Sequence, residues 1–367
     1  MSNKNAIYVT KPYLPPLDEY ISYLGKIWDS CILTNNGALH QQFEQELCSR
    51  FDWCNVSLIS NGHLALEIAL KSLNLKKGGE IITTPFTFVS TVAAIVNQGF
   101  VPVFCDIGSN YTIDSSRIES LITEKTVAIL PVHVYGFPCD VNGISQIAKK
   151  HDLKVLYDAA HALGVEFKGK DIANYGDITM FSFHATKLFH TIEGGALVYS
   201  DNNMRQDIEL FKNFGISGPE SIELIGMNAK MNEFQATMGL SLLGYMDEII
   251  NRRKVITERY LQNLDGINSL EFVPIENDLK YNYAYMPVLI KSKRDAVFEH
   301  LGANNIFARK YFYPILSHVD CFKNYLRGNS LERAEMVAEQ IITLPIYPTL
   351  TIPQVDFICS VLQDALQ

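Results

Sequence analysis

From about Val56 to Ser200, short apolar runs alternate with amphipathic stretches, and nothing else in the chain restricts its possible folds so sharply. The candidate strands are residues 80–83, 101–106, 126–133, 154–158, 177–183 and 195–200. Candidate helices fall between them at 63–73, 88–98, 115–122 and 143–151, with another at 204–213 after the last strand. Such alternation, with β-branched residues in the apolar runs, predicts a mostly parallel sheet covered on both faces. No helix separates the later strands, which predicts antiparallel pairing somewhere in 177–200.

Beyond Gly226 the texture changes. Phe234, Met238, Leu242, Met246 and Ile250 recur at helical spacing, predicting one long helix over 232–264 that leads out of the large domain. The remainder predicts a small α/β domain with a strand at 283–290 and helices at 294–304, 330–342 and 353–367. The expected division is a large domain over 1–250, including an N-terminal arm, and a small one over 251–367.

A chain of 367 residues with 47% hydrophobic content buries about three quarters of its unfolded surface and needs no disulfides. Its seven cysteines are scattered and form no CxxC pair, so buried free thiols in a reducing cytoplasm are expected and zinc is not. The first residues contain no apolar stretch of signal-peptide length, and no run approaches the ~20 residues of a membrane span. Lys plus Arg number 31 against 40 Asp plus Glu, a formal net charge of −9. Nucleic acid and anionic membranes are therefore poor partners, and an anionic ligand needs a local pocket.

The densest chemical signal lies between Val155 and Gly195. The apolar run Val155-Leu156-Tyr157 ends in Asp158 and continues as Ala159-Ala160-His161. A second run, Met180-Phe181-Ser182-Phe183, continues as His184-Ala185-Thr186-Lys187. Open α/β sheets bind ligands at the carboxyl ends of their strands, and a desolvated lysine there offers its amine for Schiff-base chemistry. Pyridoxal phosphate requires such an amine, a carboxylate for its ring nitrogen, an aromatic face and donors for its phosphate. Asp158 is the candidate carboxylate and Phe88, opening a helix, the candidate face. Asn61-Gly62-His63 opens another helix, whose first N–H groups suit an anion, and Ser182 adds a hydroxyl. Singly, each has an ordinary reading as turn, core residue or satisfied hydroxyl. In this combination and order they are specific.

Asp158-Ala159-Ala160-His161, Ser182-Phe183-His184-Ala185-Thr186-Lys187 and Glu193-Gly194-Gly195 together resemble the DegT/DnrJ-type nucleotide-sugar aminotransferases. Leu33-Thr34-Asn35, Ile82-Thr83-Thr84-Pro85, Pro131-Val132-His133-Val134-Tyr135-Gly136 and Gly226-Met227-Asn228 with Lys230 extend the resemblance over nearly the whole chain. Its lysine segment is most similar to the branch that forms dTDP-4-amino-4,6-dideoxyglucose. The resemblance implies fold type I of the pyridoxal phosphate enzymes and an obligate homodimer with shared active sites. It implies that Lys187 holds the cofactor covalently, Asp158 pairs with the ring nitrogen, and Phe88 and His161 flank the ring. Gly62, His63 and Ser182 would bind the phosphate, with Asn228 reaching into the neighbouring subunit's site. Substrate contacts are expected at Thr34, His184, Lys230, Tyr311 and Tyr313. Three positions depart from the common pattern: His63 stands where Ser or Thr is frequent, His161 where Gln is, and Lys230 where Arg is.

The expected reaction moves an amino group, from L-glutamate as the expected donor, to a nucleotide-linked 4-keto-6-deoxy sugar such as dTDP-4-keto-6-deoxyglucose, for lipopolysaccharide, O-antigen or another glycoconjugate. Alternatives keep the fold and change the acceptor to a 3-keto sugar or a small keto-phosphate, or make the chain a pyridoxal-phosphate-binding regulator without turnover. Related sugar 3-dehydrases resemble this family with His in place of the lysine, so Lys187 argues against dehydration. A regulator would want a basic DNA-binding stretch that the chain lacks. No GxGxxG follows an early strand, which disfavours a nicotinamide dehydrogenase.

Overall fold

The computed structural model describes residues 6–367. The apolar runs form one seven-stranded sheet with the spatial order Asn55–Ile59, Gly195–Tyr199, Ile178–Ser182, Lys154–Asp158, Thr126–Ile129, Glu80–Thr83 and Val101–Phe104. Every neighbouring pair is parallel except those of Gly195–Tyr199, which runs antiparallel to both flanking strands. The expected antiparallel pairing is thus this one strand. The edge strand Asn55–Ile59 is an addition to the sequence reading; Asn and Ser interrupt its apolar run, although all five of its residues are buried.

Register decides what meets at the sheet edge. Asp158 pairs with Met180, and Ser182 pairs with Gly195. Because Gly195–Tyr199 is reversed, the Glu193-Gly194 turn that feeds it falls at the same edge as the carboxyl ends of its neighbours. Gly195 also permits a close approach: a Cβ there would lie 2.9 Å from the backbone of Asn61 and Gly62.

Two 14-residue helices, Leu17–Ser30 and Ala38–Phe51, form most of the N-terminal segment. The second begins at Gly37 without a side-chain cap of its own. The Glu233 carboxylate replaces it, accepting from the N–H of Leu39 at 2.9 Å and of His40 at 3.0 Å.

The single helix expected over 232–264 is two helices, Glu233–Leu243 and Met246–Leu264. The first opens on a capping box between Asn232 and Gln235. At its end the Tyr245 N–H bonds to the Leu242 carbonyl, a tighter turn that resets the axis at Gly244 without breaking the apolar period. The helix expected over 330–342 is also shorter, Glu332–Gln340, and the chain turns directly into a strand, Ile341–Leu344. That strand pairs antiparallel with Met286–Ile290, which in turn pairs with Leu270–Glu271. β-Branched Ile341, Ile342 and Thr343 explain the switch, since side chains of this kind pack well on a pleated surface.

A second core forms on this small sheet. Tyr260, Val288, Val297, Ile342, Ile358 and Leu362 belong to it, and so does Ile7, from a two-residue strand paired with Ile306–Phe307. The first core spans the large sheet and takes in Tyr285, Tyr311 and Phe312. All seven cysteines are free, but only Cys105, Cys139 and Cys359 are buried. Cys31, Cys54 and Cys321 are exposed, which corrects the expectation of uniformly buried thiols. They lie in turns and helix ends, where loops run over the surface. Among the described residues no helix is long and apolar enough to cross a membrane.

Candidate active site

A cavity of about 510 Å³ opens at the carboxyl ends of the central strands. Of the residues singled out from the sequence, Gly62, His63, Phe88, Asp158, His161, Ser182, His184, Lys187 and Tyr311 all line it. Asn228, Thr34, Lys230 and Tyr313 do not.

One end is built from the start of the helix Gly62–Ser72. Asn61 caps it, accepting from the Leu64 N–H at 2.9 Å through its side chain and from the Ala65 N–H at 3.1 Å through its carbonyl. The N–H groups of Gly62 and His63 come before any carbonyl that could bond them within the helix. A Cβ at Gly62 would stand 3.0 Å from the Ser182 Cβ and 3.2 Å from its Oγ. Glycine therefore lets the helix start lie against the strand end, bringing two N–H groups and a hydroxyl to one wall. That set suits a phosphate.

The cavity lining also holds Asp158, 4% exposed. Its Oδ2 accepts from Thr91 Oγ1 at 2.7 Å and its Oδ1 from the Ala160 N–H at 3.1 Å. Burial raises its pKa, and the Thr91 bond, the Ala160 bond and the Lys187 charge only partly oppose this. A cation opposite the carboxylate would remove that cost, as a protonated pyridine nitrogen does. Thr91 went unnoticed in the sequence, although it lies three residues beyond Phe88, one turn into a helix already assigned.

His161 is held in a cage of Tyr135, Tyr285, Tyr311 and Phe312, with its ring nearly parallel to that of Phe312 and 4.5 Å from that of Tyr285. The Tyr135 N–H donates to Nδ1 at 3.0 Å, so that nitrogen carries no proton. Burial first, then the charges of Lys187 and Arg309, push its pKa well below the ordinary histidine value. His161 is therefore a neutral imidazole whose proton sits on Nε2, 3.3 Å from the Tyr311 hydroxyl. A neutral N–H donor on the cavity wall can bond a ring oxygen without competing for charge.

Lys187 Nζ reaches the Tyr285 hydroxyl at 3.5 Å and forms no ion pair among the described residues. Arg309, which also lines the cavity, lies over the Tyr311 ring at 4.6 Å. Neither Tyr285 nor Arg309 was singled out, because Tyr285 stands just before the strand Met286–Ile290 and Arg309 just after Ile306–Phe307, both remote in sequence from the lysine. Phe88 is 48% exposed, an aromatic face left open on the wall. His184 Nδ1 lies 2.8 Å from Thr186 Oγ1, and its Nε2 lies 3.4 Å from Glu193 Oε1, which fixes the ring across the lysine loop.

The remaining residues lie elsewhere on this chain. Lys230 Nζ donates to Asn213 Oδ1 at 2.6 Å and lines a separate cavity of about 350 Å³ with Asn35, Asn36, His40 and Lys212. Thr34 is exposed in the loop beside it. Tyr313 is exposed and packs under Arg294 and Lys310. Asn228 is exposed, and its backbone bridges Asn213. Among the described residues no group of His, Cys, Asp or Glu side chains is placed to hold a metal ion.

Residues 17–363 match the model of the DegT/DnrJ/EryC1/StrS aminotransferase family. The chain is 41% identical over 363 residues to a dTDP-4-amino-4,6-dideoxy-D-glucose transaminase of Shigella dysenteriae, covering 98% of each chain. It is 40% identical over 358 residues to an Escherichia coli enzyme of the same name, covering 95% of each. Among solved structures, DesI in the presence of its TDP-sugar product superposes with a TM-score of 0.94 at 27% identity, over 99% of this chain and 94% of that one. Helicobacter pylori PseC, an aminotransferase involved in pseudoaminic acid biosynthesis, gives 0.93 at 27%, over 98% and 99%.

Proposed function

Because the chain belongs to the DegT/DnrJ/EryC1/StrS aminotransferase family and is a pyridoxal-phosphate-dependent sugar aminotransferase, we propose that it transfers the amino group of L-glutamate to C4 of a nucleotide-linked 4-keto-6-deoxy sugar. The leading acceptor is dTDP-4-keto-6-deoxyglucose. The observation that carries this is the likeness, over nearly the full length of both chains, to two transaminases named for dTDP-4-amino-4,6-dideoxy-D-glucose. A carbonyl at C4 is what remains when that amine is taken away. The product would serve surface-polysaccharide or glycoconjugate synthesis in the cytoplasm.

In this reading Lys187, Asp158, Phe88 and His161 hold the ring, while Gly62, His63 and Ser182 hold the phosphate. When bound, pyridoxal phosphate supplies an electron sink for the carbon that loses or gains nitrogen. Asp158 keeps the ring nitrogen protonated, and His161 donates from Nε2 to the ring oxygen. Lys187 Nζ removes the proton from the α-carbon of glutamate and returns one to the sugar carbon that gains nitrogen. His184, fixed by Thr186 and Glu193, and Tyr311 border the sugar.

The domain division is placed near residue 250, with the Ile7 strand returning to the small domain. The active unit is a homodimer. Exposed Leu17, Ile21 and Trp28 on one helix, and Ile216, Ile222 and Ile225 near Asn228, support a protein-covered face. Exposed Asn228 then completes the partner's phosphate site, while Thr34, Lys230 and Tyr313 contact substrate only in that assembly.

The test is incubation with glutamate and a panel of dTDP-, UDP- and GDP-linked 4-keto and 3-keto sugars, followed by NMR of the products. An amine on C4 of the dTDP sugar is expected. Amination only at C3, or only of another nucleotide's sugar, would overturn the proposal.

A further inference from the structure

Two helices start at the cavity, and each contributes a polar side chain from its first turn: His63 from Gly62–Ser72 and Ser90 from Val89–Asn97. His63 Nδ1 lies 2.9 Å from Ser90 Oγ. On the other side of the ring, Nε2 lies 3.2 Å from Glu67 Oε1, one helical turn further along. Glu67 is itself buried, and the same oxygen accepts from Asn97 Nδ2 at 2.9 Å, so the carboxylate is held in place from the second helix. A continuous polar chain thus runs from Asn97 through Glu67 and His63 to a serine hydroxyl on the wall that Gly62 and Ser182 also line.

The direction of the hydrogens in this chain depends on the charge of the imidazole. A neutral ring that gives its Nε2 proton to Glu67 must accept at Nδ1, so Ser90 turns its hydrogen toward His63. A doubly protonated ring donates from both nitrogens; Ser90 then accepts from Nδ1, and its own hydrogen turns outward into the cavity. Asp158, His161, His184, Lys187, Glu193, Arg309 and Tyr311 are the other ionisable groups on the cavity wall. None of them forms a hydrogen bond or ion pair with His63 among the described residues.

We propose that Glu67, His63 and Ser90 act as a relay that presents the Ser90 hydroxyl hydrogen to the phosphate of the cofactor. It takes the place of a hydroxyl at position 63. The proton on the ring comes from solvent, and no covalent bond to carbon or phosphorus changes. The inference rests on the phosphate placement at Gly62, His63 and Ser182 given above. Glu67 and His63 are positioning residues, and Ser90 makes the contact.

Binding, not turnover, is the readout. Full-length protein stripped of cofactor is titrated with pyridoxal phosphate and with pyridoxal, and the dissociation constant for pyridoxal divided by that for pyridoxal phosphate isolates the phosphate contribution. Ser90→Ala and Glu67→Gln are each expected to lower that ratio by about tenfold. Affinity for pyridoxal and the circular dichroism spectrum should stay as in the wild type. The double variant should lose no more than either single one, because the groups act as one unit. Should Glu67→Gln fail to fold, His63→Phe carries the same expectation. Ser182→Ala separates the two claims. If it lowers the ratio while Ser90→Ala or Glu67→Gln does not, the relay is wrong and the placement stands. If all three leave the ratio unchanged, both are wrong. Losses that multiply in the double variant also overturn the relay, since Ser90 and Glu67 would then act independently.

Discussion

Lys187 and Lys212 both line cavities that contain histidine, asparagine and carboxylate side chains, yet their surroundings differ in one decisive respect. Lys212 is 3% exposed, and its ammonium lies 2.7 Å from Glu209 Oε1 and 4.0 Å from Glu44 Oε1. Burial and the Lys212 charge push the neighbouring His40 down to about 3. Lys187 is less buried, its nearest partner is the Tyr285 hydroxyl at 3.5 Å, and Asp158 is bonded elsewhere, to Thr91 and Ala160. Burial alone therefore does not make a lysine reactive. A lysine held between carboxylates is a structural ion pair, whereas one beside a carboxylate that is already occupied keeps its amine available.

The sharpest way to break this contrast is to trap the attached cofactor. Borohydride reduction and peptide mapping should place the adduct on Lys187, with none on Lys212 or Lys230. Lys187→Ala should lower turnover by about 10³-fold or more while the phosphate and ring contacts still retain cofactor. An adduct on Lys212 would erase the distinction between the two sites.

Asp158→Asn should lower turnover by about 10²-fold, because an amide cannot keep the ring nitrogen protonated. The same substitution should have the opposite effect on the cofactor-free protein. Burial raises the folded-state pKa of Asp158, so the folded chain binds this proton more tightly than the unfolded chain. The site's contribution is therefore lost as pH rises from the ordinary carboxylate value through the raised one. Thermal melts of cofactor-free protein at pH 5 and pH 8 should show the wild type losing more stability than the Asn variant. Equal losses would mean that Asp158 is not an unpaired buried charge.

Lys212→Met should leave turnover per folded molecule unchanged and lower stability by about 3–5 kcal/mol, since Glu209 and Glu44 lose their shared cation. Urea denaturation measures this. A stable but inactive Lys212→Met protein would move the chemistry toward the second cavity.

Much of the first site could be read from the chain because its groups follow strand ends. Asp158, Ser182 and Lys187 sit at or just beyond two strands that are neighbours in the sheet, and Gly62 and Phe88 open helices that follow others. Thr91, Tyr285 and Arg309 escaped notice for a different reason. Thr91 faces the site through helical phase, while Tyr285 and Arg309 arrive from the small domain. The break at Gly244 was equally hidden, since the apolar period continues across it.

The alternation of strands and helices, the strand-end carboxylate and lysine, and the glycine at a helix start were determined by sequence alone. Each is a local property, set by the period of the apolar residues and by backbone groups left unpaired at an element's end. Which lysine is free and which is tied, the tautomer of His161, and the link from Glu67 through His63 to Ser90 were decided only by the tertiary structure. They depend on distances between residues far apart along the chain, where a shift of an ångström or two separates an ion pair from an available amine.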